Sequence, residues 1–304
     1  MSKPIELRVN PADAGERLDR FLRRSIPGVS SGSIRRLLER GQVLVNGGPK
    51  KKGYQLRSGE RVIVAVAASD ERPVPQPAIA LELIATFSDF VVVNKASGQH
   101  CHPLVPGETD TLANALVAAF PECADASPHA REAGLVHRLD WSTSGVIIAA
   151  RNRNTYGRLR GLFSSHKMTK EYIALVDGVL EKAGHIQTEI QTMPGNPSRM
   201  RVYDLQSLGQ HGRIAKTEYH PIAKLGPFSL VTLRCQTGLR HQIRVHMAYL
   251  GHPLVGDSTY EGSLHPKVTG AFLHAHAIAF EGHRFEAKLE EHRSSLLREL
   301  GYRD

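Results

Sequence analysis

The segment Gly134-Leu135-Val136-His137-Arg138-Leu139-Asp140-Trp141-Ser142-Thr143-Ser144-Gly145 places one acidic side chain in a Ser/Thr/Gly-rich loop between two apolar runs. The loop leads into Val146-Ile147-Ile148-Ala149-Ala150, which reads as a buried strand. Reactive groups often stand on loops held by such scaffolds. A carboxylate beside a core is costly to ionise without a partner. By its residues alone, Asp140 is either a reactive carboxylate or an Asp that caps its own loop through the backbone. Ser144 with a histidine and Asp140 would form a hydrolytic set, but the Gly-x-Ser-x-Gly elbow and an oxyanion signature are missing. Histidine is plentiful, with 16 residues. The pairs His100/His102, His241/His246 and His274/His276 match neither Cys-x-x-Cys nor His-Glu-x-x-His, so no metal is expected. Walker A, Gly-x-Gly-x-x-Gly and zinc-deaminase patterns are also missing.

The elements that must hold this loop read as follows. Candidate strands are Phe90–Asn94, Gly145–Ala150, Tyr172–Val176 and Phe228–Gln236. Asn152–Ser164 and Gln242–Tyr249 read as helices. Strands dominate and do not alternate regularly with long helices. The expectation for residues 81–304 is therefore an α+β domain with a mixed, mostly antiparallel sheet. Residues 67–80 carry Pro73, Pro75 and Pro77 among small residues, an extended semi-rigid connection. We expect domains at 1–68 and 81–304, with a Pro-rich linker at 69–80.

The first domain is small and basic. Leu18, Phe21, Leu22 and Ser25 fall on one helical face, ended by Pro27-Gly28. Ser33 is a candidate cap for a second helix, with Ile34, Leu37 and Leu38 as its apolar positions and Gly41 as its stop. Arg35, Arg36 and Arg40 fall off that stripe. Val43-Leu44-Val45 reads as a strand, Asn46-Gly47 as a hairpin turn, and Arg61–Val66 as a further strand.

The whole chain has 304 residues and a formal net charge of +9. Residues 1–66 hold fourteen Lys/Arg against six Asp/Glu, so nearly all the surplus sits in a fifth of the chain. Such asymmetry points to a module that meets a polyanion, or to a basic surface kept for solubility. Hydrophobic residues make up 41%, enough for a core and too many for a disordered chain. No apolar run approaches the length of a transmembrane helix, and the N-terminus lacks a signal-peptide core. Cys101, Cys123 and Cys235 are odd in number and far apart, which fits a reducing cytosol.

Two resemblances sharpen this reading. RLDRFLRR…SSGSIRRLLERGQVLVNG…KKGYQLRSGERVIV resembles the S4-type RNA-binding domain, whose two helices and hairpin present a basic face to structured RNA. Arg17, Arg35, Arg36, Arg40, Lys50, Lys51 and Lys52 are the contacts it implies. HRLDWSTSG matches the HRLD-x-x-TSG motif of RluA-type pseudouridine synthases. Val93-Asn94-Lys95-Ala96-Ser97-Gly98 with His102-Pro103 resembles that family's first strand and loop, with Ala96 where a proline is usual. Lys170-Glu171-Tyr172 resembles its K-x-Y strand. Thr237 to His246 and Gly251 to Asp257 resemble T-G-R-T-H-Q-I-R-V-H and G-H-P-x-x-G-D, except that Leu239-Arg240 replaces Arg-Thr.

The resemblance implies the pseudouridine synthase fold behind a small α/β S4-like domain. It implies isomerisation of uridine to pseudouridine without redox change, so no cofactor is expected. Asp140 would be the indispensable carboxylate, acting at C1′ by nucleophilic or electrostatic means. Arg244 would pair with it, and Tyr172 would pack against the target base. Arg138 would fill the position vacated by the uridine, with His137 and Leu139 shaping the same loop. Large-subunit ribosomal RNA is the leading substrate and transfer RNA the second. A non-catalytic RNA-binding or ribosome-assembly protein on the same scaffold is the other class. No membrane partner is expected, and a cytoplasmic monomer is the default.

Overall fold

The computed structural model describes residues 4–26, 31–39, 41–64, 72–104, 107–205 and 212–303. The chain divides into two compact units, Met1–Arg72 with Leu104–Glu108, and Pro73–Pro103 with Thr109–Asp304.

In the first unit, strands Ile5–Arg8, Arg61–Val64, Val43–Val45 and Gly48–Pro49 form an antiparallel sheet in that order. Helices Leu18–Ser25 and Ser31–Glu39 accompany it. Leu18, Phe21, Leu22, Ile34 and Leu38 bury against Val43, Val45, Val62 and Val64, so the helical stripe and the strand alternation meet in one core. Asn46 and Gly47 both have positive φ, 51° and 82°, as a tight hairpin requires. Gly41, at φ 66°, ends the second helix: its N–H reaches Leu38 O, and Gln42 N–H reaches Leu37 O. Pro27-Gly28, Arg40 and the side chains of Ser33 and Arg36 lie outside the described residues.

The second unit is built on a ten-stranded sheet. Its order is Met200–Tyr203, Gly184–Thr192, Arg213–Leu225, Phe228–Cys235, Thr169–Asp177, Leu273–Phe280, Ser144–Ala150, Phe90–Lys95 and Glu82–Thr86, with His283–Glu286 paired to Leu273–Phe280. All neighbours run antiparallel except Leu273–Phe280 and Ser144–Ala150. The α+β class and the mixed, mostly antiparallel sheet expected from sequence are both present. The four strands read from sequence each lie within a few residues of the observed ones.

The parallel junction depends on one glycine. Gly145 has φ 116°, and a Cβ there would stand 2.2 Å from Ala275 O. Only a residue without a side chain lets the two backbones approach so closely. Strand Ser144–Ala150 is buried throughout, and its two faces serve two cores. Val146 and Ile148 pack with Phe90, Leu159 and Phe280, while Ile147 and Ala149 pack with Leu112, Leu116 and Leu135. Helix Arg153–Ser164 begins at Asn152, whose side chain accepts Thr155 N–H at 2.9 Å. The proline-rich stretch is not loose from Pro73 onward. Asn114 Nδ2 donates to Val74 O at 2.8 Å, and Gln76 N–H donates to Asn114 O.

Candidate active site

Asp140 stands in the loop that enters strand Ser144–Ala150. The loop turn is closed by the backbone, Thr143 N–H to Asp140 O at 3.0 Å, so the Asp140 side chain is left for another task. Its Oδ2 accepts from Arg244 Nη1 at 3.2 Å. Arg244 lies in the first turn of helix Gln242–Tyr249, where a cation gains nothing from the helix dipole. Carboxylates compensate. Asp257, only 1% exposed, accepts from Arg244 Nε at 2.6 Å and from Nη2 at 2.7 Å. The guanidinium thus grips Asp257 with one edge and offers Nη1 to Asp140. Burial works against its charge, but the bonds and charges of Asp257 and Asp140 prevail and hold its pKa above the ordinary arginine value.

A cavity of about 70 Å³ opens beside this pair. Asp140, Arg244, Tyr172, Arg138 and Leu139 line it, together with Thr143, Cys235 and His241. Tyr172 comes from strand Thr169–Asp177. Burial, then the neighbouring Cys235 and Asp140, push its phenol pKa up, so it is a neutral hydroxyl at pH 7. Burial likewise raises the Cys235 thiol to about 11, which removes it as a thiolate nucleophile. Thr143 Oγ1 is buried at the cavity with no hydrogen-bond partner among the described residues.

The loop that carries Asp140 is clamped residue by residue. Leu139 exchanges two hydrogen bonds with Cys101: Sγ accepts the Leu139 N–H at 3.2 Å and donates to its O at 3.3 Å. Lys95, fully buried, donates Nζ to Ala96 O at 2.7 Å, Gln99 O at 2.8 Å and, more weakly, Trp141 O at 3.5 Å. Burial lowers its pKa to about 8. Arg293, from helix Glu291–Glu299, donates to Ser142 O and to Leu273 O, each at 2.6 Å. The opposite wall is fixed similarly. Lys170 Nζ donates to Thr237 O at 2.8 Å, and Gln242 Oε1 accepts Thr237 Oγ1–H and Leu239 N–H. Asp140 and Arg244 therefore meet through clamps on the loop that carries Asp140 and on the segment that leads into the helix of Arg244, a preorganisation that rigid scaffolds supply.

The sequence-nominated residues divide. Asp140, Arg244, Tyr172, Arg138 and Leu139 converge on the cavity. His137 does not line it. Its Nε2 accepts the Ile148 N–H at 3.1 Å, its ring packs on Phe163, and burial lowers its pKa to about 3. Its contribution is to brace the loop against the strand. The Ser144 hydroxyl meets His274 Nδ1 at 2.9 Å, but both side chains are fully buried and the second ring nitrogen faces Ala287 O. That pair is structural, so the hydrolytic arrangement fails for want of access. Arg240, standing where the family pattern has threonine, donates to Pro197 O at 2.5 Å. Sequence reasoning overlooked Asp257, His241 and Arg293. The first two stand in quoted motif blocks, whereas Arg293 sits in an ordinary amphipathic helix and carries no local signal. Among the described residues, no group of three His, Cys, Asp or Glu side chains is placed to hold a metal.

On the S4-like unit, Arg17 is exposed and pairs with Asp19 at 3.0 Å, and exposed Arg35 faces Glu39 at 3.6 Å. Lys50 lies over the Tyr54 ring, and Lys51 and Lys52 are exposed. Exposed pairs of this kind contribute little, about 0–1 kcal/mol, so they yield readily to a polyanion. Arg36 as a side chain and Arg40 altogether lie outside the described residues.

Comparison with known proteins bears on this geometry. The family described as RNA pseudouridylate synthase matches residues 89–249, and the S4 domain family matches residues 16–62. The uncharacterized RNA pseudouridine synthase YlyB of Bacillus subtilis is 31% identical over 97% of this chain and 98% of its own. A protein of Neisseria meningitidis named ribosomal large subunit pseudouridine synthase D is 32% identical over 92% of this chain and 74% of its own. The solved structure of human RNA pseudouridylate synthase domain containing 4 shares the fold, with a TM-score of 0.57 at 22% identity over 72% of this chain and 92% of that one.

Proposed function

The chain belongs to the RNA pseudouridine synthase family, with an N-terminal S4 RNA-binding domain, and from that premise we propose that it isomerises specific uridines of large-subunit ribosomal RNA. The enzyme class is an isomerase of RNA uridine. The choice of RNA is supported by relatives named for the ribosomal large subunit, one of them 32% identical. The proposed setting is the cytoplasm, with the chain acting as a monomer. Residues 1–68 hold the RNA, 69–80 connect, and 81–304 carry the chemistry.

The observation that carries the site assignment is the Asp140–Arg244 pair at 3.2 Å on a cavity shared with Tyr172. A stacked uridine hides C1′, so the nucleotide must turn out of the RNA at a cost of a few kcal/mol. Arg138, exposed at the cavity, takes the vacated place in the RNA. Asp140 engages C1′ as the N1–C1′ bond breaks and its electron pair leaves with the base. Arg244 keeps the carboxylate ionised and aimed. Tyr172 supplies a flat, neutral surface against the uracil ring. The freed base turns, C5 bonds to C1′ as the Asp140 contact is released, the C5 proton leaves, and N1 takes up a proton in its place. Atoms and electrons balance within the nucleotide.

The test is pseudouridine mapping in total RNA from cells with and without this protein. Sites lost from large-subunit ribosomal RNA are the expected result. Losses confined to transfer RNA, or no loss at all, overturn the proposal.

A further inference from the structure

His241 shares the cavity with Asp140 and Arg244. It adopts left-handed backbone geometry, φ 55° and ψ 18°, at the start of the helix that carries Arg244. Such a conformation in a non-glycine residue persists only where its surroundings enforce it, and it clusters at active sites. One enforcing contact is Tyr260, whose hydroxyl stands 3.0 Å from His241 Nδ1. Tyr260 is itself buried, with the guanidinium groups of Arg244 and Arg199 over its ring at 5.3 and 5.4 Å.

The tautomer follows from hydrogen-bond accounting. The Tyr260 hydroxyl accepts Met200 N–H at 2.8 Å, so its own proton points elsewhere. His241 Nδ1 is the neighbour placed to receive it. A neutral imidazole that accepts at Nδ1 carries its proton on Nε2. Nε2 faces the cavity, 3.9 Å from Asp140 Oδ2. That separation is too long for a hydrogen bond and leaves the Nε2–H free for a substrate atom. The charged groups acting on this ring are Asp140, which favours its cation, Arg244 and Arg240, which oppose it, and Asp257, which favours it. Burial outweighs them and holds the pKa below the ordinary histidine value.

We propose that His241 is a catalytic residue that donates Nε2–H to the departing uracil, and that Tyr260 is the positioning residue that fixes its tautomer. The inference rests on the site reading given for Asp140. When N1–C1′ breaks, the bonding pair leaves with the base and its charge spreads over N1 and the ring carbonyl oxygens. A fixed neutral donor stabilises that anion as it develops. No proton is transferred to or from His241. The same donor remains in place while the ring turns, which favours an anion held in the site over one lost to solvent.

Two measurements on the full chain test this. In ¹⁵N-histidine-labelled protein, long-range ¹H–¹⁵N correlation reads each tautomer, with the His241 signal assigned by its loss in His241→Gln. Wild type is expected to be neutral with the proton on Nε2 at pH 7, and Tyr260→Phe to show a mixture. A proton on Nδ1, or a cationic ring at pH 7, overturns the proposal. In single-turnover reactions on ribosomal RNA from cells lacking the protein, His241→Ala should lose roughly 10²–10³-fold in rate with RNA affinity unchanged. His241→Gln keeps a donor near the Nε2 position and should recover most of that loss. An unimpaired His241→Ala, or no rescue by glutamine, refutes the catalytic role. If wild type leaves that RNA unmodified, the substrate proposal falls, and the tautomer still decides the dyad.

Discussion

Asp140 and Arg244 are useful only together, and their surroundings set what each substitution costs. Asp140→Asn keeps size and shape but removes the charge that Arg244 faces at 3.2 Å. Pseudouridine formation should be abolished while RNA affinity, measured by filter binding, stays within about twofold. Arg244→Ala has a second consequence, since it strands the buried Asp257 carboxylate. Denaturant titration should show a loss of about 3–5 kcal/mol, as expected when one member of a buried ion pair is removed. Lys95 makes a pH-dependent contribution. Burial lowers its folded-state pKa to about 8 from an ordinary value near 10.5. Below about pH 8 the lysine is charged in both states and the burial penalty is complete. Between about 8 and 10.5 the folded chain sheds a proton that the unfolded chain keeps, so stability from this group rises with pH. The stability of wild type relative to Lys95→Met should therefore improve from pH 7 to pH 9.5. A difference that stays flat or falls over that range contradicts the burial argument.

At the scale of elements, the cavity depends on parts that do not line it. Helix Glu291–Glu299 sends Arg293 to the carbonyls of Ser142 and Leu273, tying the Asp140 loop to the central strand. Arg293→Met removes both donors at similar volume and leaves two carbonyls short of partners. Turnover should fall by about tenfold or more, with RNA affinity retained, since a small misplacement of the reacting group is costly. Gly145→Ala tests the parallel junction. Its Cβ would overlap Ala275 O, and φ 116° is strained for alanine. A destabilisation of about 2–4 kcal/mol in chemical unfolding is the expected outcome. Long strand Arg213–Leu225 shows why some elements are hard to read in sequence. It contains Pro221, which ordinarily argues against a strand, and the register shift between Pro221 and Ala223 accommodates it. Strand Leu273–Phe280 lacks a clear alternation because it is covered on both faces.

For the molecule as a whole, charge and chemistry occupy different stretches of chain. The Lys/Arg surplus lies in residues 1–66, while each group that positions Asp140 lies between Lys95 and Arg293. A chain lacking residues 1–66 should keep the fold of its catalytic unit. Its RNA affinity should drop, and the slope of log K against log salt should become shallower, because fewer phosphates are neutralised. Unchanged affinity and slope would remove the basic module from RNA binding. Among the described residues no helix is long and apolar enough to cross a membrane.

The sequence alone carried the S4-like helices and hairpin and the α+β class, and its resemblance to a known family nominated Asp140, Arg244 and Tyr172 as one set, which line one cavity. The first two rest on local periodicity and turn chemistry, and the third on contiguous motif residues, all of which survive in one dimension. It also nominated His137, which shares the motif but turns toward the Ile148 amide. Only the tertiary structure decided which face of the loop meets the cavity. It also decided that Asp257 grips the far edge of Arg244, that Lys95 and Arg293 hold the loop by its carbonyls, and that the Tyr260 hydroxyl stands against His241 Nδ1. The physical reason is that hydrogen bonds to backbone carbonyls and buried ion pairs join residues distant along the chain. Their partners are chosen by distance and direction in space, which residue type and spacing do not encode.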